Sequence, residues 1–199
     1  MNDKSERRET ADILRDATHL IVVDLEATCS DDGAVPRDQM EIIEIGAVLV
    51  EMDGLNAADT FQSFVLPVRH QDLTPFCTEL TGITQEMVED GGSAFPDAIA
   101  AFKDWMRLGK RHAVFGSWGD YDRKQFNQDC RFHRIPYPMP QHINLKETFS
   151  TRQGLRKRLG MAGALKMCDL PLEGAHHRAL DDAQNIAKLL PWIVGDARL

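Results

Sequence analysis

The sequence has few of the features that mark secreted, membrane-spanning or zinc-binding proteins. Its four cysteines, Cys29, Cys77, Cys130 and Cys168, form no C-x-x-C pair, which argues against a zinc ribbon or a disulfide framework. No apolar run approaches the roughly 18 residues of a membrane span. The charged N-terminus, Met1–Glu9, has no apolar signal-peptide core. We therefore expect a cytoplasmic protein that does not act in a membrane.

Positive charge is also scarce, since the chain has 31 acidic against 23 basic residues and a formal net charge of -8. The strongly basic domain that is typical of nucleic-acid binding is therefore absent. Acidic residues that hold divalent cations add negative charge themselves, however, so local patches still matter. The basic segment Thr151–Leu159 is equally compatible with a solvated helix face and with a surface that follows phosphates.

Repeats, low-complexity tracts and a second-domain boundary are not apparent in the sequence. With 199 residues, 43% of them hydrophobic, the chain is long enough for one domain with its own core. We expect a charged N-terminal arm over residues 1–17 and a single domain over residues 18–199.

An apolar, β-branched run from His19 to Cys29 is typical of a central strand, and it carries Asp24 and Glu26. Side chains alternate along a strand, so both carboxylates point to the same face. Two like charges on a buried strand are tolerable if one is protonated or if a cation lies between them. For an isolated pair, an edge strand whose acids reach water is the simpler explanation. A metal site is indicated only if further acidic residues with suitable spacing occur downstream.

The remaining pattern predicts an α/β fold. Strand patterns occupy five segments: His19–Cys29, Met40–Val50, Asp59–Leu66, His112–Ser117 and His142–Leu145. Helical patterns occupy Gln85–Glu89, Pro96–Met106, Lys124–Arg134 and Ala179–Val194. A meander followed by alternating helices and strands predicts one mixed five-stranded sheet flanked by helices.

Two further acidic segments stand at predicted helix starts. In Gly116–Asp122 a strand ends in a glycine turn, and the carboxyl ends of strands are where sites gather in α/β sheets. Helix capping alone would explain Asp120. In His176–Asp182, successive acids on a helix project about 100° apart, so one of the pair Asp181 and Asp182 can face the sheet. In isolation, His177 is equally a capping or surface histidine.

Together these segments supply several carboxylates and a histidine, which are the groups that two-metal phosphoryl transfer requires. Hard oxygen ligands select Mg²⁺ or Mn²⁺ over zinc. A histidine with a pKa near about 6.5 can take the proton of an attacking water at neutral pH.

The same residues resemble the three motifs of the DEDDh 3'→5' exonucleases. Asp24-Leu-Glu26, Asp122 followed by Phe126, and His177-Arg-Ala-Leu-Asp-Asp182 occur in the family's order within Leu20–Leu190. Four segments are most similar to the histone-mRNA and small-RNA exonuclease group: Val23–Cys29, Glu44–Gly46, Leu80–Ile83 and Ser117–Asp122. The resemblance implies a ribonuclease-H-like fold and two divalent cations.

The resemblance also implies roles for single residues. Asp24, Glu26 and Asp182 would ligate the metal that activates water, and Asp24 would bridge to a second metal held with the help of Asp122. His177 would be the general base in a hydrolysis that releases nucleoside 5'-monophosphates from 3' ends. The spacing to Phe126 favours Asp122 over Asp120, and the H-x-A-L-x-D register favours His177 over His176.

Four residues are candidates for gripping the terminal nucleotide: Thr28, Leu80, Trp118 and Tyr121. An aromatic ring there could stack on a base, although Trp118 is equally compatible with the core. The implied partner is the 3' end of a single-stranded nucleic acid, with RNA favoured over DNA. RNA and DNA are distinguished by contacts to the 2'-hydroxyl, which the sequence does not disclose. The other hypothesis is a non-catalytic binding or regulatory protein of the kinase-pathway-inhibitor type on the same fold.

Overall fold

The β-branched run around Asp24 forms strand β1 (His19–Ala27), which lies inside the sheet. A computed structural model describes residues 10, 12–107, 112–195 and 197–199. Within it, β1 pairs antiparallel with β2 (Ile42–Glu51) and parallel with β5 (Ala113–Ser117). Because both edges of β1 are paired and both faces are covered, its apolar side chains are almost fully buried.

Among the described residues, the sheet has six strands in the order β4-β3-β2-β1-β5-β6. The outer strands are β3 (Asn56–Leu66), β4 (Gly92–Ala94) and β6 (His142–Asn144). The predicted class, a mixed α/β sheet flanked by helices, is confirmed, but the predicted count of five strands is corrected to six in the part of the chain that the structure describes. The additional strand, β4, is only three residues long and pairs parallel with the end of β3. No local pattern marks so short a strand, since only its distant partner orders it.

The described part of the chain contains helices in the following positions: α1 (Pro75–Thr81), α2 (Gln85–Gly91), α3 (Phe95–Met106), α4 (Tyr121–Phe132), α5 (Leu145–Arg152), α6 (Met161–Met167), α7 (Ala179–Lys188) and α8 (Leu190–Ile193). In this part, no helix is both long and apolar enough to cross a membrane.

Three helical predictions need correction. Helix α1 lies within residues 67–84, a stretch whose sequence predicts mainly loop. It forms because Thr74 caps it and Pro75 suits its first turn. The single helix predicted over Ala179–Val194 is divided at Leu189, close to Pro191, which has no N–H to donate. The basic segment is helical only to Arg152.

The residues after Arg152, numbers 153–160, form an irregular connection that we call the basic loop. Leu155 and Leu159 pack against the core from this loop. Gly154 has a φ of 64° there, a left-handed conformation that ends the helix. Tertiary packing of the two leucines therefore replaces the helix that the local pattern predicts.

The two faces of β1 belong to two different cores. Leu20 and Val22 pack in one core with residues of α7, while Ile21, Val23 and Leu25 pack in another with residues of α3 and α4. By this alternation, Asp24 and Glu26 extend from the face that α7 covers. The sheet thus directs both carboxylates of β1 towards α7, where the third acidic segment begins.

The predicted N-terminal arm lies partly outside the described residues, which exclude 1–9 and 11. Residues 12–16 are helical, and Leu14 and Ala17 are buried in the core that α7 shares.

Candidate active site

Three carboxylates meet where the end of β1 faces the start of α7. One oxygen each from Asp24, Glu26 and Asp182 lies within 4.8 Å of the others. Glu26 and Asp182 are only 8% and 5% exposed. Asp182 lies in the first turn of α7. Asp24 and Glu26 extend from β1 on the face that α7 covers. The arrangement brings together acids that are far apart in the sequence.

A fourth carboxylate reaches these three from the first turn of α4. Asp122 is 4% exposed, and its Oδ1 accepts a 3.1 Å hydrogen bond from the main-chain N–H of Leu25. Asp120, the competing candidate, is 45% exposed and pairs with Arg123 at 3.5 Å. Geometry therefore brings Asp122 to the other carboxylates and leaves Asp120 outside. We call Asp24, Glu26, Asp122 and Asp182 the acidic cluster.

Both histidines of the third segment lie beside the cluster. The Nδ1 of His176 is 2.9 Å from Asp182 Oδ2, and the main-chain N–H of His177 donates to the same oxygen at 3.1 Å. The two imidazole rings stack with centroids 4.0 Å apart. His177 has a φ of 63°, which is uncommon for a residue other than glycine. The side chain bonded to Asp182 is thus His176, while His177 is tied through its backbone.

The acidic cluster is electrostatically strained. Burial, followed by the charges of Asp122, Glu26 and Asp182, raises the pKa of Asp24 well above its ordinary value. Burial and the charge of Asp182 raise the pKa of Glu26 to about 8. Burial raises the pKa of Asp122 to about 6, although hydrogen bonds, including one from Ser117, oppose the change.

Such a cluster has the chemistry of a divalent-cation site. Its donors are all carboxylate oxygens, the ligands that Mg²⁺ and Mn²⁺ prefer. A cation among them would offset the repulsion that raises their pKa values. The pKa of His177, next to the cluster, changes in the opposite direction, because burial and the neighbouring His176 lower it. A neutral imidazole is therefore available at neutral pH.

Sequence reasoning did not assign a role to Glu44, which the structure places at the start of α7. Its carboxylate is fully buried and accepts hydrogen bonds from the guanidinium of Arg178 and from the main-chain N–H of Ala179. Beside it, a side chain on Gly46 would meet the main chain of Ala179 at 2.0 Å. The only signal in the sequence is an acid within an apolar strand, which does not separate an anchor from a metal ligand.

Two of the four candidate nucleotide-binding residues are held by contacts within the protein. Thr28 is 2% exposed, and its hydroxyl accepts a 2.9 Å hydrogen bond from the N–H of Glu41. Trp118 is half-buried against Phe149, and its indole N–H donates to the carbonyl of Leu159 at 3.1 Å. The structure thus gives Trp118 a core contact as well as a place next to the turn that precedes α4.

The other two candidates present free apolar surface. Leu80 on α1 is 39% exposed, and Tyr121 at the start of α4 is 46% exposed. Helix α1 lies against the end of β1, where Cys77 contacts the carbonyl of Ala27 at 3.7 Å. Leu80 therefore belongs to a helix that contacts the end of β1, and Tyr121 directly precedes Asp122 of the acidic cluster.

The α/β fold and the cluster of four carboxylates together are typical of metal-dependent nucleases. The sequence model described as "Exonuclease" matches residues 21–190, and the chain belongs to that exonuclease family. The resemblance to the DEDDh family is thereby confirmed, and membership of this family implies divalent metal ions.

Similar proteins agree with this assignment. The human protein "3'-5' exoribonuclease 1" is 32% identical over 189 residues, or 89% of this chain and 53% of the relative. The Drosophila melanogaster "3'-5' exonuclease Snipper" is 30% identical, over 98% of this chain and 76% of the relative. The solved nuclease domain of 3'hExo, described as a DEDDh family member bound to rAMP, is 31% identical with a TM-score of 0.80, covering 87% of this chain and 90% of that one. The chain spans about half the length of the human relative.

Proposed function

We propose that this chain is a metal-dependent 3'→5' exonuclease that shortens single-stranded RNA from its 3' end and releases nucleoside 5'-monophosphates. The observation that carries the proposal is the convergence of Asp24, Glu26 and Asp182 within 4.8 Å, with Asp122 bonded to the same strand. RNA is favoured because the human relative is an exoribonuclease and the similar nuclease domain binds rAMP.

In this proposal the acidic cluster holds two divalent cations, Mg²⁺ or Mn²⁺. Asp24, Glu26 and Asp182 would hold one of them, and Asp122 together with Asp24 would help to hold the other. When bound, the cations supply Lewis-acid stabilisation of the attacking and leaving oxygens of the phosphodiester. The raised pKa values of Asp24 and Glu26 support the proposal, since carboxylates this close need compensating charge.

His177 acts as the general base of the proposed reaction. A base must be neutral to accept the proton of the attacking water, and the lowered pKa of His177 keeps its ring neutral at physiological pH. His176 supports the site differently, through the 2.9 Å contact between its Nδ1 and Asp182. The two histidines therefore have separable roles: His177 accepts the proton of the attacking water, and His176 orients the metal ligand Asp182.

We assign the binding of the terminal nucleotide to the four candidate residues. Leu80 and Tyr121, the exposed pair, offer apolar contact to the base and sugar. Thr28 and Trp118 contribute indirectly, since each forms a hydrogen bond with a main-chain group of a neighbouring segment.

The basic loop binds phosphates upstream of the 3' end in this proposal. Arg156, Lys157 and Arg158 are exposed on it. Trp118 fixes the loop next to the turn that leads to Asp122, because its indole N–H donates to Leu159. Arg158 is paired with Glu147 at 3.1 Å, so Arg156 and Lys157 are the residues of the loop that we assign to phosphate contacts. Their positive charges would attract a polyanionic substrate although the formal net charge of the chain is -8.

The proposal is tested by incubating the protein with 5'-labelled single-stranded RNA and DNA of one sequence, with Mg²⁺, Mn²⁺ or EDTA. Stepwise shortening of RNA from the 3' end, with nucleoside 5'-monophosphate as product and no activity in EDTA, is the expected result. Faster cleavage of DNA would change the substrate class. Intact RNA and DNA in the presence of metal would overturn the proposal and favour the binding-protein hypothesis.

A further inference from the structure

We propose that Glu44 and Arg178 are positioning residues that hold the general base His177 in its working conformation. This inference rests on the proposed function, and it assigns a task to two residues outside the acidic cluster. The hydrogen bonds of Glu44, the backbone of His177 and the packing of Arg178 support it.

The carboxylate of Glu44 is occupied by donors from the protein itself. It is 0% exposed. Its Oε1 accepts from Gln62 Nε2 at 2.6 Å and from Arg178 Nη2 at 3.1 Å. Its Oε2 accepts from Arg178 Nε at 3.1 Å and from the Ala179 N–H at 3.0 Å. With four donors on two oxygens, Glu44 is an anchor for the start of α7 rather than another metal ligand.

The anchored residues directly follow His177 in the chain. His177 has a φ of 63°, and a residue other than glycine keeps such a conformation only when its surroundings enforce it. On one side, the His177 N–H is bonded to Asp182 Oδ2 at 3.1 Å. On the other, Arg178 and Ala179 are bonded to Glu44. The backbone of His177 is thus fixed at both ends, and the second end depends on Glu44.

The Arg178 side chain is suited to this task in a way that lysine is not. Its planar guanidinium makes two parallel hydrogen bonds to one carboxylate, which fixes its orientation as well as its position. The guanidinium also lies over the Phe64 ring, 5.5 Å from its centroid. Arg178 is 21% exposed, whereas Glu44 is fully buried. Removing Arg178 would therefore leave a buried carboxylate without its main countercharge.

The first experiment compares Arg178→Met and Arg178→Lys with Arg131→Met, which removes an exposed arginine on α4. We expect Arg178→Met to lower kcat by about 10- to 100-fold with little change in KM, because a small displacement of a catalytic group has an effect of this size. Arg178→Lys should recover part of the loss, and Arg131→Met should match the wild type. Equal kcat values for Arg178→Met and Arg131→Met would overturn the inference.

A stability-matched variant separates positioning from folding. Combining Glu44→Gln with Arg178→Met removes both charges, so the thermal stability lost in Arg178→Met should largely return. The kcat should remain low, because the bidentate hydrogen bonds between residues 178 and 44, which fix the backbone after His177, are still absent. If kcat recovers together with the melting temperature, Arg178 contributes only to stability and the positioning role is wrong.

Amide hydrogen exchange tests the inference independently of any activity. The His177 N–H should exchange at least about 10-fold faster in Arg178→Met than in the wild type, since loss of the anchor frees its backbone. Arg131→Met should leave this exchange unchanged. Unchanged protection in Arg178→Met would overturn the inference even if the wild type cleaves RNA. Failure of the wild type to cleave would overturn the proposed function and the role of His177 as base, whereas the exchange comparison would still show whether Arg178 fixes the backbone of His177.

Discussion

The Asp122 carboxylate accepts a 3.1 Å hydrogen bond from the main-chain N–H of Leu25, the residue between Asp24 and Glu26. The bond joins the start of α4 to a strand inside the sheet. It explains why Asp122, and not its exposed neighbour Asp120, belongs to the acidic cluster. Acids from different segments consequently share one buried environment, where a change at one of them affects the others.

Asp122→Asn should lower kcat by about 100- to 1,000-fold, because a metal ligand contributes several kcal/mol to stabilising the transition state. Asp120→Asn is the matched control, since it removes the same charge two residues away at a side chain that is 45% exposed. Its rate should stay close to that of the wild type. Rates of RNA hydrolysis in saturating Mn²⁺ provide the measurement, and the opposite order of the two variants would exchange the roles of the two acids.

His177→Ala should lower kcat by about 100- to 10,000-fold, the usual contribution of a general base. His176→Ala should instead weaken metal binding, because it removes the ring that contacts Asp182 at 2.9 Å. The two variants are compared by measuring rate against Mn²⁺ concentration. If saturating Mn²⁺ restores the rate of His177→Ala but not that of His176→Ala, the base is His176.

The rate of the wild type should fall as the pH falls. The base works when neutral, and burial together with His176 lowers the pKa of His177, so the midpoint of the fall should lie below the ordinary value of about 6.5. Rates measured from pH 4 to 8 in saturating metal give this midpoint. The residual activity of His177→Ala should lack the same transition. A flat wild-type profile would exclude His177 as the base.

The stabilisation by Mn²⁺ should grow with pH. The metal-free fold binds more protons than the unfolded chain, because folding raises the pKa of Glu26 to about 8 and that of Asp122 to about 6. The stability these groups contribute is fully present below their unfolded pKa values, about 4, and is lost as the pH rises through the folded values. Mn²⁺ competes with those protons and should relieve the repulsion best at high pH.

Thermal unfolding with and without Mn²⁺ at pH 5 and pH 8 measures this effect. The rise in Tm caused by Mn²⁺ should be larger at pH 8, and Asp24→Asn should reduce it because a ligand is lost. An equal rise at both pH values would show that Mn²⁺ binds elsewhere or that the cluster is already ionised without it.

Removing two charges from the basic loop should weaken RNA binding and make it less dependent on salt. Each phosphate contact to a single strand contributes about 0.7 to the slope of log K against log salt concentration. Arg156→Ala with Lys157→Ala should therefore reduce the slope by about 1.4. Binding is measured in the Asp24→Asn background, where the RNA should not be degraded.

The matched control for the basic loop is Lys103→Ala with Arg131→Ala, which removes two exposed charges from helices α3 and α4. This pair should leave the slope unchanged. Equal slopes for the two double variants would show that the charge of the loop is only a solvated surface.

Features that join residues distant in the sequence arise only when the chain folds. Residues Glu44 and Arg178 are both ordinary in local sequence, and only the packing of α7 onto β2 joins them. Strand β4 forms because β3 offers it a parallel partner. The basic loop leaves the helix because Leu155 and Leu159 find places in the core. In each case a long-range contact outweighs a weak local preference.

Features that depend on local geometry and on the order of the motifs are already present in the sequence. Alternation along β1 directs Asp24 and Glu26 to one face whatever else the chain does, because successive side chains in a strand point to opposite sides. The order of the motifs identifies the family, and the pattern of strands and helices predicts the mixed α/β fold. The choice of Asp122 came from spacing, and the bond to Leu25 agrees with it. The sequence does not determine that the ring of His176 and the backbone of His177 are the groups that contact Asp182. Adjacent histidines are alike in sequence, and only the folded loop before α7 sets the direction in which each side chain points.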